Sequence, residues 1–198
     1  MMKLLTITTI RITTLIVFLI FLLTSSCVQS NKKTDTNSLK ETSKTITKPT
    51  IDIHAAVLTG NLEAVKQHIE AGTDINQKEP MSGSTPLMSA ATFNQTEIAK
   101  TLINADADLT IKNNDGGTAL HTAAFFGRIE IVQLLIDAKA DKTVRNNFGA
   151  TPQEIVKGDF AQMKPIYEML ILQLKPMGFT LDLDELQKAR PVVAMMLE

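Results

Sequence analysis

Hydrophobic and polar positions divide the chain into stretches with different rhythms. Residues 15–23, LIVFLIFLL, are nine apolar residues without interruption. Residues 28–50, VQSNKKTDTNSLKETSKTITKPT, hold few apolar residues and no period. From residue 51 the apolar positions return at helical spacing: TEIAKTLI (96–103) and IEIVQLLI (129–136) each place apolar side chains on one helical face. Polar, turn-rich stretches follow both, DADLTIKNNDGG (106–117) and KADKTVRNNFGA (139–150), and these predict projecting hairpin-like loops. The last stretch, 159–198, carries a helical stripe of Ile166, Met169, Leu170 and Leu174 closed by Pro176 and Gly178. A second helix is then expected from Asp182 or Asp184, with a kink or break before Pro191.

The middle stretches are copies of one unit. Thr85 to Gly117 and Thr118 to Ala150 are both 33 residues long and align throughout, and Thr151-Pro152 opens another copy. Upstream, IDIHAAVLTGNLEAVKQHIEAGTDIN (51–76) aligns with a period of 34. The unit TPLMSAATFNQTEIAKTLINADAD, with TALHTAAFFGRIEIVQLLIDAKAD after it, resembles the ankyrin repeat over about residues 51–157. The resemblance implies an all-α solenoid of helix-turn-helix repeats with projecting hairpin-like loops, here 51–84, 85–117, 118–150 and a degenerate start at 151–158. The apolar end of such a stack needs a cover, so 159–198 is expected as a helical C-terminal cap, with a separate partner-binding segment as the alternative. Each signature position has a physical use. Thr85, Thr118 and Thr151 suit helix N-caps, and Pro86 and Pro152 suit the first turn. The Ala90-Ala91 and Ala123-Ala124 pairs let neighbouring helices approach closely. Gly60 and Gly127 supply positive φ at the end of the first helix, with Asn94 in the same place between them.

The family's variable positions, between the alanine pair and the glycine and at the loop tips, lie on its concave face. They hold Thr92, Phe93, Phe125 and Phe126, and at the tips Met81, Ser82, Asn114, Asp115, Asn147 and Phe148. Four of the eight phenylalanines would then share one surface, the makeup of a protein-binding patch. The competing expectation is that some rings pack against a neighbouring repeat. His54 and His121 share the fourth position of the unit, where the family's histidine fastens one repeat to the next by backbone hydrogen bonds. His68 is expected on the surface.

At the N-terminus, Lys3 and Arg11 precede the apolar run and no acid does. Nine residues are short for a spanning helix, which needs roughly 20, and fit the apolar segment of a secretory signal. With LTSSC at 23–27 and Cys27 the only cysteine of the chain, this resembles a bacterial lipoprotein signal. That resemblance implies cleavage before Cys27, a lipid on Cys27, and a membrane-anchored lipoprotein in the cell envelope facing the periplasm or the exterior. An uncleaved signal anchor is the alternative; both export the domain and tether it. Val28 stands where some lipoproteins carry the Asp that retains them in the inner membrane. Residues 28–50 read as a flexible linker, too polar to offset their ordering entropy.

Charge and chemistry narrow the function classes. The whole chain has net charge −1, which argues against nucleic acid as partner. Taking away the +2 of residues 1–27 and the +3 of 28–50 leaves −6 on residues 51–198. One cysteine excludes a disulfide framework, and three scattered histidines offer no zinc spacing. Ser84 and Ser89 have no base and orienting group beside them, and Asp182, Asp184 and Glu185 are better explained by the dipole of a helix they begin. We therefore expect no catalysis, no cofactor, no metal and no small-molecule substrate, but a protein partner. Two sharper forms are a toxin-immunity or inhibitor protein and an accessory factor in periplasmic protection against peroxide.

Overall fold

The computed structural model describes residues 49–198. The apolar run, Cys27 and nearly all of the polar linker lie outside the described residues. Nine α-helices follow among the described residues: α1 Ile53–Leu58, α2 Leu62–Glu70, α3 Pro86–Thr92, α4 Thr96–Asn104, α5 Ala119–Phe125, α6 Ile129–Asp137, α7 Pro152–Lys157, α8 Phe160–Leu174 and α9 Leu183–Met196. No strand occurs among them, and the architecture is a helical repeat solenoid.

A short inner helix and a longer outer helix make each repeat: α1/α2, α3/α4 and α5/α6. The inner helices stack along one row and the outer helices along another. Inner helices start where a hydroxyl or carboxylate can take an unpaired N–H. Asp52 Oδ1 accepts from the His54 N–H at 2.8 Å, Thr85 Oγ1 from Met88 at 3.3 Å and Thr151 Oγ1 from Glu154 at 3.2 Å. They end after two turns because the next residues turn left-handed, at Gly60 (φ 66°), Asn94 (φ 56°) and Gly127 (φ 63°). The core lies between the rows. Ala56, Ala90, Ala91, Ala123 and Ala124 are fully buried where inner helices touch, and Val65, Ile98, Leu102, Ile131, Val132 and Leu135 fill the space behind them. A larger residue at the alanines would push whole repeats apart.

The fourth repeat is completed from a distance. Its inner helix is α7, which stacks on α5, but the outer position is taken by α9, which pairs with α7 and stacks on α6. Val193, Ala194 and Leu197 of that helix join the common core. In the first three repeats the outer helix begins nine or ten residues after the inner one; here residues 159–182, containing α8, intervene. So 159–198 is two things: an insertion, and the last outer helix. Asp182 caps α9, accepting from the N–H groups of Asp184 and Glu185. Of the kink or break expected before Pro191, the break does not occur: α9 runs through Pro191, as α8 does through Pro165. Each proline removes one hydrogen bond, to Gln187 and Ala161 respectively; both residues are exposed, so water can take the freed carbonyls.

Candidate functional site

The loops between repeats are built from paired asparagines. Asn113 Oδ1 accepts from the N–H groups of Asp115 (3.1 Å) and Gly117 (2.8 Å), and Asn146 Oδ1 from Phe148 and Ala150, both at 3.0 Å. The first asparagine thus closes its own loop. The second reaches the loop before it: Asn114 donates from its backbone to Ser82 O and from Nδ2 to Met81 O, and Asn147 likewise to Asp115 O and Asn114 O, all at 2.8–2.9 Å. A side chain at Gly116 would run into Asn147, which is why a glycine stands there, already at φ 72°. In the first loop Glu79 takes the closing role, accepting from the N–H groups of Met81 (2.7 Å) and Ser82 (2.5 Å) and from the Ser82 hydroxyl. Partial burial works against its charge, but those hydrogen bonds win and hold its carboxyl below the ordinary 4.5.

The result is a rigid ridge of three tips. The sequence-predicted Asn114, Asn147 and Ser82 are exposed there, but their polar groups are committed to the scaffold rather than to a partner. Met81, Asp115 and Phe148 are what the ridge displays, with Met81 64% and Phe148 79% exposed.

The other predicted cluster is not an open surface. Phe93 and Phe126 are C-cap residues at the row of turns joining inner to outer helices, and the insertion covers that row. Phe179 lies between them, its ring 5.9 Å from Phe93 and 5.3 Å from Phe126, edge to face. Phe125 sits 4.7 Å from Tyr167, which also stacks on Phe160. Phe126 is only 7% exposed, and Phe93 and Phe125 are half-buried. The competing expectation of ring packing therefore holds for these three, though the surface they meet is the insertion as well as the repeats. Thr92 contributes its carbonyl: Arg128 donates from Nη2 to Thr92 O (3.0 Å) and Thr180 O (3.4 Å), with its guanidinium over the Phe126 and Phe179 rings. Burial pulls the Arg128 pKa down to about 10, still well above neutral. Tyr167 donates to Phe125 O at 2.9 Å and receives from Arg190, which is itself buried and bonded to the carbonyls of Ile155 and Gly158. Sequence reading missed Tyr167, Phe179, Arg128 and Arg190. The available signal was that five of eight phenylalanines and the only tyrosine flank one place in the repeat or lie beyond it.

The histidines separate. His121 Nδ1 accepts from the Thr118 N–H at 3.1 Å, and its Nε2–H donates to Ala150 O at 3.2 Å, joining the third repeat to the fourth. His54 makes no such bond: both ring nitrogens are buried without a hydrogen-bond partner. Helix α1 starts one residue later in the unit than α5, capped by Asp52, so His54 is the second helical residue and not the third. His68, expected on the surface, is buried, with Nε2 on Ile51 O (2.8 Å) and Nδ1 on Thr73 Oγ1 (3.1 Å). Among the described residues no group of three or more His, Cys, Asp or Glu could hold a metal ion, and no helix is long and apolar enough to cross a membrane.

Comparison with known proteins agrees with the geometry. Residues 53–146, a little under half of the chain, match the family described as "Ankyrin repeats (3 copies)". Protein phosphatase 1 regulatory subunit 27 of Homo sapiens is 44% identical over 64 residues, covering 32% of this chain and 41% of that protein, and its Mus musculus counterpart gives the same figures. An ankyrin repeat-containing protein of Schizosaccharomyces pombe is 46% identical over 65 residues, covering 32% of this chain and 30% of that one. The chain thus spans about two fifths or less of these relatives. It carries ankyrin repeats, a fold that generally mediates protein–protein interaction.

Proposed function

We propose that this protein is a membrane-tethered binding module that holds a protein partner in the bacterial cell envelope on the ridge of its loop tips. The observation that carries the reading is the exposure of Met81 and Phe148 on a backbone ladder fixed by Asn114 and Asn147. Exposed Met and Phe side chains are enriched at protein interfaces, and a loop backbone already fixed by hydrogen bonds loses little entropy on binding. Asp115 and the net charge of −6 on residues 51–198 favour a partner with an apolar pocket and a basic rim. The same charge favours the narrower reading of an immunity or inhibitor protein, whose target would carry that basic face. The similarity to a regulatory subunit is consistent with a non-catalytic role. The tether is a lipid on Cys27, supported by the apolar run before it and the absence of any other cysteine.

The experiment is a crosslinking pulldown from intact cells with the full chain, comparing wild type with Met81→Ser/Phe148→Ser. Capture of a discrete partner by wild type and its loss in the double variant is the expected result. Equal capture by both removes the ridge from the reading. For the tether, Cys27→Ser is expected to move the protein out of the membrane fraction and abolish incorporation of labelled fatty acid; unchanged fractionation and no label in wild type would overturn the lipid.

A further inference from the structure

Helix α8 covers the aromatic row with one side and presents the other to solvent. Its inner side carries Tyr167, fully buried, with Phe160, Leu170 and Leu174 half-buried around it. The helical turn continues through Lys175–Met177. On the outer side Ile166, Met169, Leu172 and Met177 are all exposed, Leu172 at 75%, and the remaining outer positions are alanine, glutamine or proline. At 3.6 residues per turn this leaves an arc of roughly 160° without a charge. Solvent-facing helices ordinarily carry charges there, and an uncharged apolar face of this extent marks an interface.

The three charges of the helix, Lys164, Glu168 and Lys175, lie together on one flank. Glu168 and Lys175 are seven residues apart, about 10 Å along the axis. If a second α8 packs antiparallel about a two-fold axis passing between Ile171 and Leu172, each Glu168 falls opposite Lys175 of the other copy. Ile166 then meets Met177, and Leu172, beside the axis, meets Leu172 of the other copy. The flank is self-complementary under that one operation, as an isologous contact requires. A membrane surface fits less well, because lipid-facing helices have basic residues along their polar face, whereas here an acid sits between two lysines and the opposite flank has only glutamines. We propose that two copies of this chain associate through the outer faces of α8. A single helix pair buries less than the roughly 800 Å² per partner of a standard interface, so the dissociation constant is expected in the micromolar range.

The test uses the full chain in intact cells. Leu172→Cys, treated with a short thiol-reactive crosslinker, is expected to give a covalent dimer that the parent with Cys27 alone does not. In that background, Glu168→Lys or Lys175→Glu places like charges opposite each other twice and should lower the dimer yield roughly tenfold. Co-expressing the two reversed chains sets opposite charges across from each other again at both contacts, and should restore a mixed dimer. All these positions are exposed, so folding is preserved. Absence of the dimer, or a dimer indifferent to the charge reversals, overturns the proposal, the second by showing random collision or a different contact.

Discussion

At the level of single residues, the same histidine in two repeats does two different things. His121 satisfies the Thr118 N–H and the Ala150 carbonyl; His54, in a helix that starts one position later, satisfies nothing. His121→Ala is therefore expected to lower the unfolding free energy by about 1–3 kcal/mol, because buried partners are left unpaired. His54→Leu should cost nothing measurable. Urea midpoints of the two variants check this, and equal losses would contradict the geometry. The pH dependence has a definite sign. Burial, assisted by Lys112, pulls the His121 pKa below the ordinary 6.5, outweighing the bonds to the backbone. Since Nδ1 accepts a backbone N–H, the native ring is neutral. Its contribution is complete above pH 6.5 and is lost as pH falls through the lower native value. The wild-type midpoint should fall on acidification below 6.5, with a shallower fall in His121→Ala; identical slopes would sink the assignment. The histidine position was legible in the unit TALH, since one residue type at one offset announces a repeated role. The difference at His54 was not, because it depends on where the cap falls: Asp52 stands where the His121 repeat has Ala119, the first helical residue there, and takes over the helix start.

At the level of elements, the decisive feature is an outer helix separated from its inner partner by residues 159–182. Phe179 and Tyr167 of that insertion fill the row of turns where Phe93, Phe125 and Phe126 stand. Phe126→Ala removes a ring that is almost wholly buried, and should cost about 3 kcal/mol or more. Phe148→Ala, at an exposed tip, should cost almost nothing. Thermal or urea unfolding of the pair separates the two; a neutral Phe126→Ala would mean that the insertion does not hold the row in solution. The first three repeats could be read from the sequence because period, cap and glycine recur at fixed distance. The fourth could not, for a period says nothing about a partner that returns after an interruption. Nor does the sequence distinguish a ring on the concave face from one roofed over by a distant segment: both occupy a variable slot, and only tertiary packing decides.

For the whole molecule, stability in a stack of repeats is a sum of neighbour interactions, so the ends open before the middle. The fourth repeat is the exception to a frayed end, because the insertion ties it to its neighbours. Arg128 spans from the second repeat at Thr92 to the insertion at Thr180, Phe179 bridges Phe93 and Phe126, and Arg190 joins Tyr167 to the carbonyls of Ile155 and Gly158. The first repeat has no comparable clamp: its histidine bonds to nothing beyond it, and its polar ties to the second are loop bonds such as Lys78 to Lys112 O and Asn114 to Met81 O. Hydrogen exchange on the full chain should therefore show amides of α1 and α2 exchanging before those of α5 and α6. Phe179→Ser should narrow that gap by lowering protection in the second to fourth repeats while leaving the first unchanged. Uniform protection in wild type, or a uniform loss in the variant, would show instead that the stack opens as one unit and that the insertion is a passenger on it.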